Sequence, residues 1–201
     1  VLSLAEAFVR SGARTDRSLL FMAFGAEESG LLGSGAFVER PTMPLRDLAA
    51  VINIDGLGLL GRTRDIGALG RDQSSLGPVF SAAARAEGMR VTDDPDAAAR
   101  GYFFRSDHFP FVKAGVPALS LEGGKDFIGR PAGWGKAQQD AYNADRYHQP
   151  SDELLPEYTP AGAEQALRVV ARVAIAVADA AAQPTWDRGS EFRSAGVARR
   201  K

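Results

Sequence analysis

The sequence predicts an α/β domain with a mostly parallel central sheet and helices on both faces. Three observations carry that reading. Apolar runs of strand length at 18–24, 48–54 and 116–121 alternate with longer segments of helical periodicity. The runs are apolar almost throughout, as strands buried on both faces are. Strand and helix alternate along the chain, the pattern of crossover connections between parallel strands.

The elements follow in order. Leu2, Leu4, Ala5, Phe8 and Val9 mark an amphipathic helix over 2–12. The run Ser18-Leu19-Leu20-Phe21-Met22-Ala23-Phe24 reads as a buried parallel strand, and 31–40 as the next helix. A strand over 48–54 ends at Asp55, and the glycine-rich stretch 56–70 holds a short strand near 65–68. A helix over 72–87 is closed by Gly88. A short helix near 107–114 ends at Gly115, and the strand 116–121 follows. Residues 122–156 show little periodicity and read as one long loop. Their Gly, Trp, Tyr, Asn and Asp content is too aromatic for a flexible linker, so an ordered wall of the active site is expected. Pro160 opens a helix over 160–182. Residues 1–183 make one domain, and the polar segment 184–201 reads as a frayed tail.

At 201 residues, 45% hydrophobic and 24% charged, the chain can build one sizeable core. A net charge of -1 leaves no basic footprint for nucleic acid or an anionic membrane. No apolar run is long enough to span a bilayer. The absence of cysteine excludes disulfides and thiolate metal sites, so His, Asp and Glu would have to hold any metal. The chain opens at Val1 inside a helix and reads as the C-terminal part of a longer protein.

Four places carry chemistry. Glu27 and Glu28 stand together where the first strand run gives way to small residues, at the end where open α/β sheets bind ligands. Adjacent carboxylates repel. A cation would relieve this, one carboxylate acting as ligand and the other as base. A solvated loop before a helix N-terminus is the plainer alternative. Asp55 ends its strand in the same way, either as a ligand or as simple turn chemistry before Gly56. The third place is Arg105-Ser106-Asp107-His108-Phe109-Pro110-Phe111, and the fourth Arg146-Tyr147-His148-Gln149-Pro150-Ser151-Asp152. They contain the chain's two histidines, each with a carboxylate nearby. Pro150 predicts an extended backbone at His148. Asp152 could accept the outer ring N–H of His148, or cap a following turn.

Taken together, four segments resemble the co-catalytic di-zinc aminopeptidases. That superfamily also holds glutamate carboxypeptidases, glutaminyl cyclases and the transferrin receptor ectodomain. The segments are Glu27-Glu28-Ser29-Gly30-Leu31-Leu32-Gly33-Ser34, Asn53-Ile54-Asp55, Ser106-Asp107-His108-Phe109-Pro110-Phe111 with Gly115-Val116-Pro117-Ala118, and Tyr147-His148-Gln149-Pro150-Ser151-Asp152. They stand in the family's order across residues 1 to about 180.

The resemblance implies a zinc-exopeptidase fold of the phosphorylase/hydrolase-like kind and two zinc ions. It implies Glu27 as the base that takes a proton from a metal-bridging water. Glu28 and His148 become ligands of one zinc, and Asp55 a ligand of the other. Tyr147 becomes the donor to the oxyanion. Arg105, Asp107 and His108 line the substrate pocket, and Asp152 supports His148 from behind. The implied function is zinc-dependent aminopeptidase hydrolysis of N-terminal peptide bonds in a peptide substrate, in a periplasmic or secreted protein. The family's His-x-Asp motif and metal-bridging Asp would lie upstream of the opening helix. The resemblance therefore also implies that an upstream part of the same protein completes the site, and that these residues alone are inactive. Two alternatives remain: a silent binding module of the receptor-like branch, which has no physical need for a base beside a ligand, and a glutaminyl cyclase.

Overall fold

The computed structural model describes residues 1–95 and 97–200. It is built from eight helices and four strands among the described residues: α1 (Leu2–Ser11), α2 (Leu32–Glu39), β1 (Val51–Asn53), β2 (Asp65–Leu69), α3 (Leu76–Ala86), β3 (Arg90–Val91), α4 (Ala97–Arg100), α5 (Phe109–Lys113), β4 (Ala118–Glu122), α6 (Trp134–Asp145), α7 (Ala161–Ala178) and α8 (Arg193–Arg199). Short 3₁₀ turns at Leu45–Asp47 and Tyr102–Phe104 complete it.

The sheet order is β1-β4-β2-β3. The β1–β4 and β2–β3 ladders are parallel, and β2–β4 is antiparallel. Side chains alternate across a strand, so register divides the sheet into two faces. Ile52, Ile66, Ala68, Leu119 and Leu121 share one face and pack with Leu4 and Phe8 of α1, Phe80 and Ala84 of α3, and Val169, Val170, Val173 and Val177 of α7. Each fully buried valine contributes about 1.5–3 kcal/mol. Val51, Leu69 and Ala118 face the other way, onto Phe103, Val112, Trp186 and Phe192. The second face also carries Asn53 and Ser120, paired in register. Asp55 lies two residues beyond Asn53, just past the carboxyl end of β1.

Three expectations need correction. Ser18–Phe24 is not a strand: it enters no ladder with the described residues, and Leu20 is 48% exposed. Packing and end contacts hold it instead. Phe21 lies 6.0 Å from Phe8, the Arg17 N–H donates to the Ala178 carbonyl at 3.1 Å, and Phe24 lies 5.9 Å from Phe111. The segment 122–156 is not one loop, because it contains α6. That helix buries only Gly135, so it has no apolar stripe for periodicity to detect. It is laced instead by Lys136–Asp140 at 2.6 Å and Gln139–Asn143 at 2.9 Å.

The segment 184–200 is not frayed. Trp186 and Phe192 are buried, and the Trp186 indole N–H donates to the Gly115 carbonyl at 3.0 Å. The Arg199 guanidinium donates to the carbonyls of Gly115, Leu45 and Leu48 at 3.1, 2.8 and 2.7 Å. Gly115, at φ +88°, is what lets α8 come this close, since a Cβ there would sit 2.4 Å from the Ala195 carbonyl oxygen. Among the described residues no helix is long and apolar enough to cross a membrane.

Candidate active site

Glu27 and Glu28 project from a tight reversal between Phe24 and α2. The N–H groups of Gly30 and Leu31 donate to the Glu27 carbonyl at 3.0 and 2.8 Å, and Gly33 N–H donates to the Gly25 carbonyl at 3.1 Å. A Cβ on Gly33 would meet that same carbonyl oxygen at 2.5 Å, so only glycine permits this approach. Ala26 and Leu31 flank the acids in the left-handed region, at φ 58° and 60°. Non-glycine residues held there cost free energy and concentrate at functional sites. Phe37 of α2 stacks near Phe24 and Phe111, at 6.1 and 5.7 Å, and locks the turn to α5.

Opposite this turn stands the loop after α6. His148 Nε2 lies 2.7 Å from Glu28 Oε1. The imidazole stacks on Tyr147, ring centroids 3.8 Å apart. His148 is not extended: its φ is 60°. Pro150 restricts only Gln149, the residue directly before it, and so leaves His148 free to take the left-handed turn that brings its ring to Glu28. Asp152 is not behind His148. Its carboxylate Oδ2 accepts the Tyr142 hydroxyl at 2.7 Å.

A polar chain backs Asp55. Asn53 Nδ2 donates to Ser106 Oγ at 2.9 Å and to Ser120 Oγ at 3.2 Å, and Ser106 Oγ donates to Asp55 Oδ2 at 3.2 Å. Ser34 Oγ, fully buried, donates to Asp107 Oδ1 at 2.6 Å. Ser106 and Ser34 were inside the segments singled out by sequence, but nothing there assigned them a partner. Arg105 is exposed and lies over the Tyr102 ring at 5.9 Å. His108 does not line a pocket. It is completely buried against Phe103, ring centroids 5.0 Å apart, and presents no surface to a substrate. Burial pushes its pKa down to about 4. The Phe103 backbone opposes this, and neither ring nitrogen completes a hydrogen bond of good geometry.

Electrostatics shows the groups converging. The Glu27 carboxyl is held above its ordinary value, first by burial, then by the carboxylates of Asp55, Glu28 and Asp107, with His148 opposing. The Tyr147 hydroxyl is raised by burial and then by Glu28, Asp55 and Glu27. Four separate stretches of chain thus bring three further carboxylates, an imidazole and a phenol within electrostatic range of Glu27. A base with a raised pKa beside a hydroxyl donor suits proton transfer and oxyanion stabilisation.

The donor set is carboxylate and imidazole, the right chemistry for zinc. In number and arrangement it falls short of a metal site. No three such side chains are gathered closely enough to hold an ion among the described residues. His148 Nε2 is committed to Glu28, and Asp55 is bonded to Ser106.

The description "Peptidase family M28" matches residues 1–174. Leupeptin-inactivating enzyme 1 of Streptomyces exfoliatus is 30% identical over 158 residues, covering 77% of this chain and 34% of that protein. The aminopeptidase from Aneurinibacillus sp. strain AM-1 has a similar fold, with a TM-score of 0.60 at 20% identity over 90% of this chain and 38% of that one. The chain therefore spans about a third of the length of these relatives. Architecture, converging acids and matched family agree: this chain belongs to peptidase family M28.

Proposed function

We propose that the protein is a zinc-dependent aminopeptidase whose catalytic base is Glu27. The observation that carries this reading is the Glu28–His148 contact at 2.7 Å, which joins two distant segments beside Glu27 and Tyr147. Glu28 and His148 would ligate one zinc and Asp55 a second, with the remaining ligands from residues outside these 201. Bound zinc would supply a Lewis acid and a water of lowered pKa.

The chain's own residues do the rest. Glu27 accepts a proton from the attacking water and passes it to the leaving amine. Its raised pKa favours holding that proton between the two steps. Tyr147, half exposed at 50%, directs its hydroxyl to the substrate carbonyl oxygen as charge develops there. Arg105, at the rim with Tyr102, is placed to meet a peptide substrate.

The test uses the full-length protein. Zinc content and hydrolysis of an aminoacyl-p-nitroanilide should both be found, and both should be lost on chelation. Bound zinc with cyclisation of N-terminal glutaminyl peptides would make it a glutaminyl cyclase. No zinc and no turnover would make it a silent binding module.

A further inference from the structure

The loop 146–153 poses a mechanical problem. It carries Tyr147 and His148, yet both are exposed, and the loop contributes nothing to either hydrophobic core. Among the described residues its polar contacts outside itself are few. His148 meets Glu28, and every other one returns to α6. The Arg146 and Tyr147 N–H groups both donate to the Tyr142 carbonyl at 2.9 Å, and Ser151 Oγ donates to the Asp145 carbonyl at 3.0 Å. The link between side chains is Tyr142 hydroxyl to Asp152 Oδ2 at 2.7 Å. It closes the loop into a ring whose far side bears His148. The Tyr142 ring also packs against Tyr147 at 5.9 Å, and Tyr147 stacks on His148 at 3.8 Å.

We propose that Tyr142 and Asp152 form a clamp that positions the Tyr147–His148 turn, a role that rests on the functions proposed above for those two residues. The turn holds a left-handed φ of 60° at His148 without help from a core. Its conformation must come from local bonds: the Arg146 guanidinium donates to the Glu153 carbonyl at 2.5 Å within the loop, and the Tyr142 hydroxyl on the Asp152 carboxylate ties the loop's return to α6. The donor is Tyr142, on a rigid helix, and the acceptor is Asp152, at the loop's return. Neither is among the residues proposed to meet substrate, so both are positioning residues. The bond to Asp152 also raises the Tyr142 hydroxyl to about 12, which gives it a signature of its own.

Two sets of measurements on the same variants test the clamp. In residues 1–201, Asp152→Asn should lower the titration of one tyrosine, read by tyrosinate absorbance. Tyr142→Phe and Asp152→Asn should both speed hydrogen exchange at the Tyr147 and Gln149 amides, with the thermal midpoint unchanged. In the full-length protein each variant should lower kcat about tenfold, the loss of roughly one hydrogen bond's positioning energy. KM should hold, and the double variant should be no worse than either single one. Unchanged exchange and unchanged tyrosine titration would overturn the clamp. Faster exchange with unchanged kcat would overturn its positioning role. Absence of peptidase activity in the unmutated full-length protein would instead overturn the functional reading, and the exchange data would still decide whether the clamp exists.

Discussion

The two halves of the candidate site are built by opposite means. The Glu27-Glu28 turn is held by backbone: a glycine at Gly33 with no room for a Cβ, carbonyl bonds from Gly30 and Leu31, and an aromatic wedge of Phe24, Phe37 and Phe111. The Tyr147–His148 turn has no wedge. A polar helix bears it, and a tyrosine–carboxylate bond closes it. The first half is fixed by shape and the second by a few hydrogen bonds. The proposed base therefore stands on the side held by shape, while a proposed ligand and the proposed oxyanion donor stand on the adjustable one. That division suits a site that must grip a changing substrate without moving its base.

The largest effect should come from the rigid side. Glu27→Gln in the full-length protein should keep bound metal and lose about 10²–10⁴-fold in kcat. The same change should stabilise the metal-free chain. Ionised Glu27 is disfavoured in the fold, since its folded pKa lies above the unfolded one. The penalty is absent at low pH and grows as pH rises through the ordinary carboxylate range. Thermal melts at neutral pH should show a higher midpoint for the variant, and a lower one would contradict the raised pKa.

Tyr147→Phe probes the adjustable side. It should cost about 10²-fold in kcat with little change in KM, because the hydroxyl matters most as the oxyanion forms. An effect on KM alone would make Tyr147 a substrate-positioning residue.

His108, buried against Phe103, sharpens the contrast through stability. Its pKa is lowered from 6.5 to about 4 in the fold. The unfolded chain thus binds more protons between those values. Stability is full above about 6.5 and is lost as pH falls toward 4, by about 3 kcal/mol. His108→Leu removes that slope and leaves neutral-pH stability equal or higher, because both ring nitrogens lack partners. Denaturant unfolding across pH 4–7 provides the check.

Gly33→Ala should have the smallest effect, about 2 kcal/mol of stability, since its Cβ would collide with a backbone carbonyl. Tolerance of alanine there would show that the acidic turn is not held by shape after all.

What the sequence revealed divides along the same line. Glu27, Glu28 and Asp55 stood out because apolar runs ended just before them, and Tyr147 and His148 because they stood in familiar order. Helices α3 and α7 were legible because each buries a periodic apolar stripe, strands β2 and β4 because each is buried almost throughout, and β1 because its apolar run packs half-buried against the core. Helix α6 was not, having almost nothing to bury. The strand expected at 18–24 failed because an apolar run needs a ladder partner, and the described residues supply none. His108 was misread because a polar-aromatic cluster looks the same whether it lines a pocket or fills a core. Asp152 was misassigned because its partner, Tyr142, lay on the helix that periodicity could not detect.

Zinc titration of the full-length protein tests the central claim most directly. Calorimetry should show that Glu28→Ala and His148→Ala each weaken one site by at least about 10²-fold, as loss of a ligand does, while Glu27→Gln binds as the unmutated protein does. Unchanged zinc affinity in Glu28→Ala and His148→Ala would show that their contact is only a surface ion pair, and the proposed site would fall.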